Sequence, residues 1–164
     1  MANKAVFIDR DGTIIYDRVY IKDPNMVNIL DGAKDAIKLL RKNGFMTFIV
    51  TNQSGVGRGM MTIADVEKVN QKLLAMIGSS LIDDILICTH APDAKCDCRK
   101  PGTALVQKAA KEYKIDLTKS FSIGDKDSDK ELGTKMGGTG IKLGENGIKT
   151  LLDAAKQIIG ATTK

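Results

Sequence analysis

The chain has little of what several classes of protein require. It has no tryptophan, and aromatic residues are only 4% of its 164 residues, which disfavours stacking of single-stranded bases on aromatic side chains. No apolar run approaches the roughly 20 residues that span a membrane. The apolar run at residues 5–8 is too short for the core of a signal peptide. These absences predict a cytoplasmic protein with no targeting segment and no membrane partner.

Cysteine and histidine are also scarce, and all of them lie in one short segment. The three cysteines and the single histidine form the patterns Cys88-x-His90 and Cys96-x-Cys98. An odd number of cysteines argues against a disulfide framework and fits a reducing compartment. Three thiolates and one imidazole match a closed, structural zinc shell. The alternative is three free thiols and an unrelated histidine. We expect a zinc loop over residues 88–98.

The net charge of +5 has two interpretations. It can reflect a lysine-rich solvated surface, or attraction to an anionic ligand, either a phosphorylated metabolite or a nucleic acid. The length fits one domain, residues 1–164.

Predicted strands and helices alternate along the chain. Apolar runs predict strands at residues 4–8, 45–50, 82–88, 120–123 and 140–143, with the expected helix caps at Asp31 and at Thr62. The pattern predicts a three-layer, Rossmann-like, doubly wound parallel sheet with helices on both faces. The helical faces are expected to bury Ala33, Ala36, Ile37, Leu40, Val66, Val69, Leu73, Met76, Ile77, Val106, Ala109, Ala110, Tyr113, Ile148, Leu151, Leu152 and Ala155, and residues 160–164 to fray.

Three polar clusters begin where predicted strands end: Asp9 after the first, Thr51 after the second and Asp125 after the fourth. Ligands of such sheets bind beyond the carboxyl ends of the strands. We therefore expect these clusters to meet in one site.

Asp9 and Asp11 are separated by one residue on a turn that leaves a strand. One carboxylate can attack phosphorus while the other handles the proton of the leaving group. A hard divalent cation would remove the repulsion between carboxylate and phosphate, and Asp125 could be a further ligand. Taken alone, the same pattern also begins calcium-binding loops and ordinary turns.

Two more segments can contact a phosphate. The Thr51 hydroxyl and the backbone near Asn52 can hold its oxygens, and Lys100 can neutralise the charge that develops during transfer. In isolation, the first segment is also typical of a turn, and Arg99-Lys100 of a solvated basic pair.

Together these motifs resemble the haloacid dehalogenase superfamily of phosphatases. They are Asp9-Arg-Asp11-Gly-Thr, Thr51-Asn-Gln, Lys100-Pro and Gly-Asp125-Lys-Asp-Ser-Asp129, in the family's order. The resemblance implies that Asp9 forms an aspartyl-phosphate and that Asp11 is the general acid and then the base. Thr51 and Lys100 would orient the phosphoryl group.

The resemblance also implies a Mg²⁺ site formed by the Asp9 carboxylate, the Asp11 backbone carbonyl and Asp125. Asp129 would orient Lys100 or the metal waters, and Lys126 would lie beside it in the same supporting layer. Asn52 would contact substrate.

The zinc loop narrows the resemblance to the heptose-bisphosphate and histidinol-phosphate phosphatase group. The stretch from Thr51 to Gly59 favours heptose 1,7-bisphosphate, the Gly-Gly-Thr-Gly after Met136 leans toward histidinol phosphate, and Ile15 departs from the heptose pattern. Arg58 and Arg99 are candidates for gripping a second phosphate, or are ordinary surface arginines.

Two other functions stay open at this point. Phosphatases that process nucleic-acid ends resemble this chain in Asp-x-Asp-Gly-Thr, Thr-Asn-Gln and Gly-x-Gly-Arg-Gly, and the positive charge is compatible with them, but the zinc loop and the few aromatics count against them. A non-catalytic, zinc-stabilised binding module is the other possibility.

The segment between Gly12 and Asp31 is too short for a cap domain, which needs about 50 residues or more. We expect an open site with a short flap over residues 14–30. The resulting expectation is a monomer that acts on a small phosphorylated metabolite.

Overall fold

The computed structural model describes residues 1–163 and contains one sheet of five parallel strands in the order β3-β2-β1-β4-β5. The chain builds outward from β1 to β3 and then crosses back to add β4 and β5, which places crossover helices on both faces. The doubly wound fold predicted from the alternation is therefore confirmed. The strands are β1 Lys4–Ile8, β2 Phe45–Asn52, β3 Asp84–Cys88, β4 Phe121–Gly124 and β5 Thr139–Lys142.

Six α-helices lie within residues 1–163, together with three short 3₁₀ segments. Within that part of the chain, no helix is both long and apolar enough to cross a membrane. The helices are α1 Ala33–Lys42, α2 Ser54–Gly57, α3 Ile63–Ile77, α4 Ala104–Tyr113, α5 Asp127–Lys135 and α6 Leu151–Thr162, and the 3₁₀ segments are Pro24–Met26, Ser79–Leu81 and Leu117–Lys119.

The sheet separates two apolar layers, and β1 contributes to both. Val6 and Ile8 are buried in the layer that contains α1, α3 and α6, whereas Ala5 and Phe7 are buried in the layer that contains α4 and α5. This alternation follows from the two-residue period of a strand. Burial on both faces explains why β1 reads as a continuous apolar run.

Some helix boundaries and faces differ from the prediction. Gly32, not Asp31, caps α1 in a left-handed conformation with φ of 78°. Met76 is 37% exposed because it lies at the border of the stripe that buries Leu73 and Ile77. Thr62 and Asp65 form the predicted capping box of α3.

The segment after β2 and the end of the chain also differ. Thr51 and Asn52 still belong to β2, and residues 54–57 form a helical turn where the sequence predicts a loop. Ile148 precedes α6, which continues to Thr162 where fraying is expected, and Lys164 lies outside the described residues.

The base of the flap is more ordered than the expectation of an open loop. Ile14 and Ile15 are fully buried. Ile15 forms a bridge with Ile29, and the Leu30 amide donates to the Ile14 carbonyl at 2.9 Å. The flap therefore rises from an anchored base rather than from a free loop.

A pair of glycine substitutions tests the packing of the sheet edge. A Cβ at Gly140 in β5 would lie 1.8 Å from the Lys130 carbonyl oxygen on α5, whereas a Cβ at Gly160 in α6 would meet nothing within 4 Å. We expect Gly140→Ala to lower the free energy of unfolding by roughly 1–3 kcal/mol. Gly160→Ala should raise it by up to about 1 kcal/mol. Urea titration measures both, and equal effects would contradict the packing argument.

Candidate active site

Lys100 lies at the centre of the site. Its ammonium group is buried and donates to Asp9 Oδ1 at 2.6 Å, to Asp129 Oδ1 at 2.7 Å and to the Val50 carbonyl at 2.8 Å. Burial alone would lower the pKa of Lys100, but the two carboxylates outweigh it and raise that pKa. The lysine therefore stays charged and joins the ends of β1 and β2 to α5.

The backbone of Lys100 is held separately by Asn52. The Lys100 amide donates to Asn52 Oδ1 at 3.0 Å, and Asn52 Nδ2 donates to the Lys100 carbonyl at 3.4 Å. The sequence predicts Asn52 as a substrate ligand. In the structure its amide group is engaged with the backbone of the neighbouring segment, although the residue also lines the pocket.

Asp9, Asp125 and Asp129 bring carboxylate oxygens within 4.8 Å of one another. Asp129 Oδ2 accepts from the Lys126 amide at 3.1 Å, so both oxygens of Asp129 are engaged. Asp125 Oδ1 is buried and, within the described residues, has no hydrogen-bond partner. An unpaired buried carboxylate oxygen beside a second carboxylate is a donor set that fits a hard divalent cation.

Gly12 permits this close arrangement. Its φ of 82° is in the left-handed region, and a Cβ there would lie 2.3 Å from Asp125 Oδ2. Any side chain at Gly12 would thus push Asp125 out of place.

Burial is the main reason that the pKa of Asp9 is raised to about 8. The charge of Asp129 and a hydrogen bond with Asp125 also raise this pKa, whereas Lys100 lowers it. The low-dielectric surroundings disfavour the ionised carboxyl. A cation bound beside Asp9 would therefore compete with a proton for its carboxyl group.

Asp11 is contacted by two residues that the sequence analysis missed. Gln53 Nε2 donates to Asp11 Oδ2 at 3.0 Å and to Thr51 Oγ1 at 2.7 Å, and Arg10 forms an ion pair with Asp11. Arg10 is fully buried and also contacts Asn70 on α3. A signal was available, because Asn70 is a polar residue within the otherwise apolar stripe of α3.

A pocket of about 220 Å³ opens beside Asp11. Residues of the flap form part of its lining, and Lys126 also contributes. Thr51 is buried next to Gln53 rather than in the pocket lining. The lining residues are Arg10, Asp11, Asp17, Val19, Tyr20, Ile21, Asn52, Gln53, Ser54 and Lys126.

The two arginines predicted to grip a second phosphate line other grooves. Arg58 lies in a groove with Pro92 and Asp93, and Arg99 lies in one with Asp97 and Lys135. The structure therefore brings neither guanidinium to the pocket beside Asp11.

The cysteine and histidine side chains gather as the sequence predicts. Their donor atoms all lie within 4.8 Å, with Cys88 Sγ 2.9 Å from Cys98 Sγ and His90 Nδ1 3.1 Å from Cys98 Sγ. Desolvation and the neighbouring thiols raise the pKa of Cys98 to about 12. Three crowded sulfurs and one imidazole are the donor set of a closed zinc site, so the cluster fits the predicted metal. Cys96 supplies the third sulfur.

The loop of the cluster is also attached to the sheet. Cys88 is the last residue of β3, its carbonyl accepts from the Gln53 amide at 2.7 Å, and the Thr89 carbonyl accepts from the Gly57 amide at 2.8 Å. The cluster therefore connects the segment before Lys100 to the turn after β2.

Comparison with known proteins gives consistent matches. A family model described as polynucleotide kinase 3 phosphatase matches residues 4–142. A curated D-glycero-beta-D-manno-heptose-1,7-bisphosphate 7-phosphatase from Helicobacter pylori is 41% identical over 130 residues, covering 77% of this chain and 75% of the relative. One of the same name from Haemophilus influenzae is 37% identical over 139 residues, covering 80% and 76%.

A solved structure matches the fold over nearly the whole chain. The D,D-heptose 1.7-bisphosphate phosphatase from B. bronchiseptica, complexed with magnesium and phosphate, has a TM-score of 0.85 at 25% identity. The match covers 96% of this chain and 99% of that chain. The similarity thus extends from the motifs to the arrangement of the strands that carry them.

The raised pKa of Asp9 predicts a pH-dependent cation affinity. If Asp9 and Asp125 bind Mg²⁺, the proton on Asp9 must leave, and the dissociation constant should fall by up to about tenfold per pH unit as pH rises toward 8. Above that pH the constant should level off. Isothermal titration calorimetry in buffers of different ionisation enthalpy measures both the constant and the released proton.

Asp9→Asn supplies the control, because it keeps the shape of the side chain and removes the titrating group. Its residual affinity should not vary with pH over this range. A wild-type dissociation constant that is the same from about pH 6 to 8 would contradict the prediction.

Proposed function

The chain belongs to the family described as polynucleotide kinase 3 phosphatase, within the haloacid dehalogenase superfamily of phosphatases, and we propose that it hydrolyses phosphate monoesters through Asp9. The observation that carries this proposal is the buried Lys100 ammonium between Asp9 and Asp129, next to the unpaired oxygen of Asp125. That arrangement would provide a nucleophile, a fixed positive charge and a cation site together at the carboxyl ends of the strands.

The proposed reaction has two steps. An oxygen of Asp9 bonds to phosphorus while the bond to the leaving oxygen breaks, and Asp11 gives that oxygen a proton. Asp11, now ionised, then takes a proton from the water that attacks phosphorus. The bond between Asp9 and phosphorus breaks, phosphate leaves, Asp9 returns to a carboxylate and Asp11 to a protonated carboxyl group. Asp11 faces the pocket, as this role requires.

The remaining residues orient the phosphoryl group and neutralise its charge. Lys100 and Thr51 hold the transferred group, and Asp129, anchored by the Lys126 amide, keeps Lys100 in place. Mg²⁺, held by Asp9, Asp125 and the Asp11 backbone carbonyl, would supply charge neutralisation for an anion that approaches carboxylates.

The substrate we propose is D-glycero-D-manno-heptose 1,7-bisphosphate, cleaved at the 7-phosphate. The names of the curated relatives support it, and a pocket of about 220 Å³ suits the end of a small sugar phosphate. Arg58 or Arg99 would reach the second phosphate from the neighbouring grooves. Histidinol phosphate is the alternative small substrate.

The description of the family model gives a specific reason to keep a third substrate, a nucleic-acid 3′-phosphate. The net charge of +5 is compatible with it, and the scarcity of aromatic residues counts against it.

We further propose that residues 1–164 form a single catalytic domain that acts as a monomer in the cytoplasm, where the thiols stay reduced.

The first experiment compares Mg²⁺-dependent phosphate release from heptose 1,7-bisphosphate, histidinol phosphate and a 3′-phosphorylated oligonucleotide. We expect the highest kcat/KM for the heptose ester. Preference for either other ester would keep the mechanism and overturn the substrate, and inactivity on all three would overturn the proposed function.

Asp9→Asn should lower kcat by roughly 10⁴ or more, the scale found when a covalent nucleophile is removed. Asp35→Asn, an exposed position on α1, makes the same chemical change and should leave kcat unaltered. Trapping of a phosphorylated wild-type chain, absent in Asp9→Asn, would identify the residue. A phosphorylated Asp9→Asn variant would contradict the assignment.

The cysteine cluster is proposed to bind structural Zn²⁺ and so to hold Lys100 in position. Cys98→Ser should abolish stoichiometric zinc and lower both the melting temperature and kcat, because Lys100 follows two residues later. Asp93→Asn lies in the same loop at an exposed position and should keep zinc. Metal analysis and thermal unfolding measure the difference, and full zinc content in Cys98→Ser would refute the ligand set.

A further inference from the structure

The guanidinium of Arg10 occupies an unusual position, fully buried inside the motif that carries Asp9 and Asp11. Its Nε donates to Asp11 Oδ2 and its Nη2 to Asp11 Oδ1, both at 3.2 Å. A guanidinium that contacts both oxygens fixes the plane of a carboxyl group as well as its location. Arg10 thus approaches Asp11 in a fork geometry.

The other side of the same guanidinium is anchored by Asn70. Arg10 Nη1 donates to Asn70 Oδ1 at 2.9 Å, across 60 residues of sequence. Asn70 is buried on the apolar stripe of α3 between Val69 and Leu73. An amide at such a position is unfavourable unless it is hydrogen-bonded, and its bond to Arg10 satisfies the carbonyl oxygen.

Gln53 completes the arrangement from the end of β2, through its bond to Asp11 Oδ2. The Asp11 side chain is nonetheless 18% exposed and lines the pocket. The carboxyl group is thus held from behind while part of it remains open to a bound ester. Proton transfer requires such control, because donor and acceptor must meet at hydrogen-bond distance.

We propose that Arg10 and Asn70 are a positioning pair that orients the Asp11 carboxyl group toward the leaving oxygen of the substrate. The inference rests on the proposed function and adds two positioning residues to it. Neither Arg10 nor Asn70 touches the reacting atoms. Arg10 holds the carboxyl plane, and Asn70 prevents the guanidinium from rotating away. The proton moves from Asp11 to the leaving oxygen as the bond to phosphorus breaks, and Arg10 keeps all of its own protons.

The test uses two esters that differ in their need for that proton. The alcohol of glycerol phosphate leaves only with a proton, whereas the phenolate of 4-nitrophenyl phosphate leaves without one. Comparing kcat/KM confines the measurement to formation of the phosphorylated enzyme. For Asn70→Ala we expect kcat/KM to fall about tenfold on glycerol phosphate, part of the roughly 10²–10⁴ that a general acid contributes. The change on 4-nitrophenyl phosphate should be less than about twofold.

Three further variants separate positioning from a loss of structure. Asn70→Asp keeps an oxygen acceptor in the same place and should restore the wild-type ratio of the two esters. Arg10→Lys keeps the charge but loses the fork, and should shift the ratio in the same direction as Asn70→Ala. Lys72→Ala, exposed on the same helix, should change neither ester. Thermal unfolding of each variant shows whether it is folded.

The outcomes are distinct. An active wild type whose ester ratio is unchanged in Asn70→Ala, or an equal fall on both esters, would overturn the positioning pair and leave the proposed function intact. A wild type that with Mg²⁺ present releases no phosphate from these two esters or from the three compared above would overturn the proposed function, and this inference with it.

Discussion

Lys100 carries a positive charge into a region from which water is largely excluded, and such a charge is stable only where carboxylates and carbonyls surround it. Its acceptors come from three places that are far apart in sequence: Asp9 after β1, Val50 in β2 and Asp129 in α5. None of the three elements can shift without leaving a buried charge unpaired. The same contacts that hold the fold together at this edge therefore also fix Asp9, the proposed nucleophile.

The charge balance around that lysine favours a divalent cation at this site. When ionised, the carboxylates of Asp9, Asp125 and Asp129 carry three negative charges, and Lys100 compensates only one. A divalent cation would bring this cluster to neutrality, so that a phosphate dianion meets no net repulsion. The raised pKa of Asp9 expresses the same imbalance, since a proton partly substitutes for the cation.

The sequence was sufficient to predict the sheet, the motifs and the cysteine cluster, because each rests on local spacing or on strand-end topology. It could not predict that Arg10 and Asn70 are partners, because Arg10 lies in the turn after β1 and Asn70 lies on α3. Their contact depends on the rotation of that helix relative to the sheet. The sequence also could not predict that Asn52 holds the Lys100 backbone. A strand-end amide can serve a ligand or a neighbouring backbone, and only the packing of the segment before Lys100 decides which.

The cluster formed by Cys88, His90, Cys96 and Cys98 has a consequence for how such a chain can change. The four side chains hold both ends of the loop together. Lys100 follows Cys98 by two residues, so its position does not depend on the residues between His90 and Cys96. Residues 92–95 are exposed, and Pro92 and Asp93 border the groove that contains Arg58. Insertions or exchanges there can remodel the outer surface of the enzyme while the reacting groups stay where they are. This makes the segment a natural place to graft new substrate preferences.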